Sequence, residues 1–340
     1  MKFSEDKKNS IKMYILEKIQ QKTDGLSNHV ATELGISKNT VHTYLSELQS
    51  DGVISKSKRD SYELVTRSFE YRFKKGDREL EHDTCAYDEY LYPLIKSMPT
   101  NIEHIWSYGM SEMVNNVIDH SSAESLYLLI EQNYLSTTVI LVDDGVGIFK
   151  KIKDYFSLST LDEAVCELFK GKLTTDSSNH SGEGIFFTSK MMDEFFIVSD
   201  GKIFTTSKYD NDSLFDIDKV VKGTCVFMSL SNFTNKKAAE IFDIYSNEDS
   251  NFYKTSIPLK NIFDKAPISR SQAKRICNRL DSFKEIIVDF DGVSWMGQGF
   301  AHQIFVVYAR ANPEITLKPI NMSDEVKNMY HHVVGNDKSS

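Results

Sequence analysis

The stretch that most restricts the fold is a two-faced run, "NIEHIWSYGMSEMVNNVIDHS", residues 101–121. Read with the helical repeat, Ile102, Ile105, Trp106, Met110, Met113, Val114, Val117 and Ile118 make one apolar stripe. Such a stripe is built to pack on a sheet. Glu112, Asn115, Asn116 and Asp119 fall on the opposite side, at spacings i, i+3, i+4 and i+7. A solvated helix face usually mixes charge signs, and this one carries no Lys or Arg. Carboxylates and amides so placed can hold a metal ion or a water. Taken alone, the run reads as an ordinary solvated surface.

The rest of the chain sets bounds. Its 340 residues are enough for two or three domains. The net charge of −9 is no global nucleic-acid signature, so any DNA contact needs a local patch. Cys85, Cys166, Cys225 and Cys277 are scattered, with no C-x-x-C pair. That argues against structural zinc and fits a reducing cytosol. "MKFSEDKKNS" has no apolar signal core, and no stretch nears the roughly 18 uninterrupted apolar residues of a membrane span. A cytoplasmic protein without membrane contact is expected. His331 and His332 read as an exposed tail rather than metal ligands.

Three helices are predicted near the start, over 11–21, 29–34 and 38–50, with Ser27 and Ser37 as N-caps and Gly35 ending the second. Ile11, Ile15, Leu16 and Ile19, then Val41, Leu45 and Leu48, are their core stripes. "VISKSKRDSYELV" alternates and reads as a hairpin. Within this order, "VATELGISKNTVHTYLSELQSDGVI" resembles the winged helix-turn-helix of bacterial regulators, here spanning 1–66. The resemblance implies a third helix in the major groove, led by Lys38, Asn39, Thr40, His42 and Thr43. It also implies a wing whose Lys56, Lys58 and Arg59 meet phosphates. The domain is near neutral, so a winged helix used for protein contacts is the alternative. Paired half-sites would make the protein a homodimer.

A connector is expected over 66–84 and a helix over 87–97, ended by Pro99. "SLYLLIEQ" is a buried-strand pattern, and "TTVILVDDGVGIF" is a β-branched run ending in Asp143-Asp144-Gly145-Val146-Gly147. Glycines after a strand let a ligand approach the backbone. The acid before them can accept from an exocyclic amine. "KLTTDSSNHSGEGIFFTSKMMDEF" joins a Ser/Thr/Asn-rich loop to Gly182-Glu183-Gly184 and a helix from Ile185. Loop amides and a helix N-terminus suit an anion. "VVKGTCVFMSL" places Gly223-Thr224 at the head of a strand.

Each box is weak alone, but their order resembles the GHKL ATPase superfamily over 85–235. That family includes gyrase, the large heat-shock chaperone, the mismatch-repair clamp and the histidine kinases. The resemblance implies a two-layer α/β sandwich that binds ATP and Mg2+. Glu112 would activate the attacking water, and Asn116 would hold magnesium. Asp143 would read adenine, with Gly145 and Gly147 admitting the base. Residues 150–181 would be a lid, and Gly182, Gly184 and Ile185 a phosphate-cradling turn. Thr224 would be the hydroxyl behind the adenine. Asn115, Asp119 and His120 are secondary ligand candidates. Lys172 and Lys190 are cations within reach of phosphate, with a surface position the default. His29, His42, His82 and His104 lie in contexts unlike a phosphoacceptor helix, which argues against a sensor histidine kinase.

The region 255–335 alternates helix and strand, as in a small α/β domain. Ser269 and Gln272 read as a capping box, and Phe300, Ile304 and Val307 as one helix face. "VDFDGVSWMGQGFAHQIF" resembles the STAS-like domain that often follows a GHKL module. True STAS domains carry a phosphorylatable serine at this helix start, where this chain reads Met296-Gly297-Gln298-Gly299. A regulatory or protein-partner surface near 297–300 is therefore expected. The combined expectation is a multidomain, slowly hydrolysing ATP-binding regulator of transcription, whose nucleotide state switches DNA or partner contacts. The alternatives are an anti-sigma-type serine/threonine kinase acting on a STAS-like target, and a non-hydrolysing ATP-sensing scaffold in a defence or mobile-element system.

Overall fold

The computed structural model describes residues 3–58, 61–173, 182–207, 222–247, 249, 251–263 and 266–337. It is a multidomain α/β protein with three sheets among the described residues. Its contacts define two units. One is Met1–Glu70 with Leu129–Val139 and Ser229–Thr234, and the other is Tyr71–Leu128, Ile140–Met228 and Asn235–Ser340.

The first unit opens with α1 (Glu5–Gln20), α2 (Leu26–Leu34) and α3 (Lys38–Ser50). Ser37 caps α3 as its sequence predicts, its Oγ accepting from the Thr40 N–H at 3.1 Å. Ser27 is not a cap. Gly25, at φ +60°, reverses the chain before Leu26, so Ser27 is buried inside the first turn. Gly35, at φ +60°, ends the helix. The strands β1 (Ile54–Lys58) and β2 (Ser61–Leu64) pair antiparallel. Ile15, Leu16, Val30, Val41, Leu45 and Leu48 form the centre of this unit's core, with Tyr44 and Ile54 around them.

The expected connector after residue 66 is instead a strand, β3 (Arg67–Lys74). "RSFEYRFK" alternates, turning Phe69, Tyr71 and Phe73 inward and Arg72 and Lys74 outward. Beyond it come α4 (Tyr92–Ile95) and α5 (Thr100–Asn116), then β4 (Ser125–Gln132) and β5 (Ser136–Asp143). Next are α6 (Ile148–Tyr155), α7 (Leu161–Lys170) and α8 (Gly184–Met191). An antiparallel pair, β6 (Glu194–Ser199) and β7 (Lys202–Thr205), precedes β8 (Thr224–Ser231). One sheet takes six strands in the order β3-β4-β5-β8-β6-β7. The apolar stripe of α5 is buried as its spacing requires, with Ile102, Ile105, Trp106 and Met110 fully covered.

After β8 the chain forms α9 (Ala238–Tyr245). The C-terminal part is a small α/β arrangement. It comprises β9 (Lys254–Pro258), α10 (Leu259–Ile262), α11 (Arg270–Cys277), β10 (Glu285–Asp289), α12 (Gln298–His302), α13 (Ala309–Ala311), β11 (Thr316–Ile320) and α14 (Asp324–Asp337). The strands pair in parallel in the order β11-β10-β9. The Ser269–Gln272 capping box forms in full. Val307 departs from expectation. Wider i→i+5 turns over Gln303–Tyr308 rotate the helix face, burying Phe305 and Val306 beside Ile304 and leaving Val307 42 % exposed. Among the described residues no helix is long and apolar enough to cross a membrane. Val307→Glu should therefore change unfolding free energy by no more than about 0.5 kcal/mol. Ile304→Glu, which buries an unpaired charge, should cost about 3 kcal/mol or more. Denaturant titration of both variants checks this.

Candidate functional site

Strand alternation places Asp143 on the buried face of β5, in line with Thr137, Val139 and Leu141. Asp144 points the other way. Its Oδ1 accepts from the Glu124 and Ser125 N–H groups at 2.8 and 2.9 Å, and its Oδ2 from the Ser125 hydroxyl at 3.0 Å. Partial burial opposes its ionisation, but these bonds from Ser125 and Glu124 outweigh it and hold the carboxyl below its ordinary value. The two neighbouring acids thus divide: Asp144 ties two chain segments together, and Asp143 faces a cavity.

Asp143 is 5 % exposed. Burial raises its pKa, partly offset by the N–H of Gly145, at 2.7 Å from Oδ1, and by the backbone and hydroxyl of Thr224. The Thr224 Oγ1 also accepts from the Ile148 N–H at 3.1 Å, fixing the first turn of α6 to the head of β8. Gly223 has φ +82°, and a Cβ there would overlap the Asp143 carbonyl. No other residue type allows β8 to approach the end of β5 so closely.

The polar face of α5 meets this strand end. The helix widens into an i→i+5 turn over Val117–Ser121, and the Ser121 carbonyl accepts from the Val146 N–H at 2.9 Å. The first turn of α8 lies against the same face. A Cβ on Gly184 would overlap the Glu112 carboxylate, so the glycine lets the helix N-terminus and the acid touch. Tyr108 sits beside them, its phenol pushed well up by burial and then by the charges of Glu112 and Glu183.

These elements enclose a cavity of about 260 Å³. Glu112, Asn116, Asp143, Gly147, Gly182, Gly184, Ile185 and Thr224, all singled out in the sequence, line it together. Asn115 and His120 join them. Gly145 lies behind the wall, packed on the Ser121 carbonyl, and Asp119 is exposed outside it. The Leu173 N–H donates to the Gly182 carbonyl at 2.9 Å. Residues 174–181, the polar part of the expected lid, lie outside the described residues. Lys172 and Lys190 do not line the cavity. The Lys172 ammonium donates to the Ser282 carbonyl at 3.0 Å, and that of Lys190 lies 5.2 Å from the Phe186 ring centre. Burial pushes Lys190 down to about 8, with Asp289 opposing. Among the described residues the cation that lines the cavity is Lys151, which the sequence reading did not single out. It donates to the His120 carbonyl at 2.5 Å, and burial lowers its pKa against the pull of Asp119. No local pattern in the sequence marks it, because its acceptor lies 31 residues away along the chain.

In the first unit Lys38, Asn39, His42 and Thr43 are exposed along α3, and Lys56 is exposed on β1. Thr40 is half-buried and shares a 2.9 Å hydrogen bond with the Ser37 hydroxyl. Lys58 pairs with Ser61 in the hairpin, and Arg59 lies outside the described residues. In the C-terminal part, Gly297 precedes α12 and offers no hydroxyl at the helix start. Comparison with known families matches residues 272–327 to a STAS-like domain of unknown function (DUF4325). No curated protein matches the chain.

Asp143→Asn tests the burial of the acid. A carboxyl raised in the folded state costs stability once it ionises, so wild type should lose stability as pH rises through the carboxyl range. The variant should be the more stable protein at pH 7.5. Its advantage should vanish at acid pH, as read by denaturant midpoints across that range.

Proposed function

We propose that the chain is an ATP-binding, slowly hydrolysing regulator, with a GHKL-type nucleotide domain between a DNA-binding winged helix and a STAS-like domain. The observation that carries this reading is the convergence of four separate sequence boxes on one cavity. The residues fit an adenine nucleotide. Asp143 offers a buried acceptor for an exocyclic amine, backed by Thr224, while the glycine turn after it leaves room for a flat base. Glu112 and the N-terminal turn of α8 lie together at the other side, where backbone N–H groups favour phosphate. Glu112 is then the group placed to take a proton from an attacking water. Among the described residues no three His, Cys, Asp or Glu side chains cluster to hold a metal. Magnesium at Asn116 would thus complete its shell with phosphate oxygens and water, and its charge would offset that of the phosphates.

The winged-helix reading rests on the order of three helices and a hairpin, and on the exposed Lys38, Asn39, His42 and Thr43. The fusion of these parts suits a transcription regulator whose nucleotide state alters DNA or partner binding. A dimer on paired half-sites is the matching assembly.

Magnesium-dependent phosphate release tests the nucleotide site. Glu112→Ala should retain ATP-induced thermal stabilisation and lose about 10²- to 10⁴-fold in turnover. Asp143→Asn should lose the stabilisation itself. A wild type that ATP stabilises without phosphate release would favour a sensor or a kinase. For DNA, Lys38→Ala should reduce the slope of log affinity against log salt by about 1. An unchanged slope on random-sequence duplexes would remove Lys38 from the interface.

A further inference from the structure

The chain leaving α7 alternates between two environments. Leu168, Gly171 and Leu173 line the cavity. The residues beside them, Glu167, Lys170 and Lys172, turn to the C-terminal α/β part, whose family match begins at residue 272. Lys170 is 1 % exposed, and its ammonium donates to Glu167 Oε1 at 2.5 Å and to the carbonyls of Asn278 and Arg275 at 2.6 and 3.1 Å. Those carbonyls end α11, where the helix dipole favours a cation. Glu167 Oε2 lies 3.4 Å from Arg279 Nε, and the Arg279 guanidinium covers the Phe156 ring at 3.7 Å. The Lys170 carbonyl accepts from the Thr255 hydroxyl at 2.7 Å. Gly171 has φ +75°, and a Cβ there would come within 2.6 Å of Phe252. The wall is thus clamped from behind.

A buried ammonium persists only while its partners stay in place, since removing one leaves an uncompensated charge. Two of the three acceptors of Lys170 belong to the end of α11. Sliding α7 against α11 would strip them, so the cavity wall and the STAS-like part shift together or not at all. We infer that Lys170 is a positioning residue that couples occupancy of the cavity to the order of the STAS-like part. This rests on the nucleotide reading given above. It makes the C-terminal part a reader of the nucleotide state through α7, rather than an independent module on a linker. Coupling is reciprocal, so loosening α11 must weaken nucleotide binding by the same factor that nucleotide tightens α11.

Hydrogen exchange of the full chain, read over residues 270–283 with and without Mg·ADP, tests it, with ADP binding measured by calorimetry in the same samples. In wild type, ADP should slow exchange there severalfold. The double variant Glu167→Met/Lys170→Met removes both charges and leaves neither unpaired. It should still bind ADP, about 10-fold more weakly, and lose the protection over 270–283. If the double variant does not fold, Arg279→Ala, which is partly exposed, decides by a partial loss of the same protection. Binding with unchanged protection in the variants, or with none in wild type, would overturn the coupling alone. Failure of wild type to bind ADP would overturn the nucleotide reading and this inference with it.

Discussion

A carboxylate buried at the end of a strand needs donors, and the site is arranged around the donors of Asp143. Gly145 supplies one by turning its N–H back onto the acid, and Thr224 supplies others from the head of β8. Thr224 can do so only because Gly223 brings the two strands into contact. The same hydroxyl then fixes the start of α6. One buried acid therefore ties β5, β8 and α6 together, and its burial, which raises its pKa, is only partly offset by these donors.

The second side of the cavity follows a different logic. The polar face of α5 can stay free of lysine and arginine because its acid meets a helix N-terminus, through the missing side chain of Gly184. The apolar face of the same helix is buried throughout. The two-faced pattern is thus a division between core and cavity, with no broad solvated surface on the polar side.

What the sequence made legible was local. Ser37, the Ser269–Gln272 box and the strands β4 and β5 are decided within a few residues, and each is found in the structure. The residues around Asp143 could be chosen because the order of several boxes, each weak alone, resembles the GHKL superfamily. Ser27 failed because a glycine two residues earlier took the reversal. Val307 failed because a widened turn changes the helical repeat, which spacing alone cannot reveal. The strand β3 was readable in its alternation but hidden by its charges, which an edge strand keeps outward. Lys151 and Lys170 were illegible, since their acceptors lie 31 or more residues away along the chain, apart from Glu167. Tertiary structure alone distinguishes them from surface lysines.

The most direct test of the proposed nucleotide site is a crystal grown with magnesium and a non-hydrolysable ATP analogue. The adenine amino group should donate to Asp143, the phosphates should lie at the first turn of α8, and a cation should be bound through Asn116. Density for the analogue elsewhere, or with its base turned away from Asp143, would contradict the proposed site.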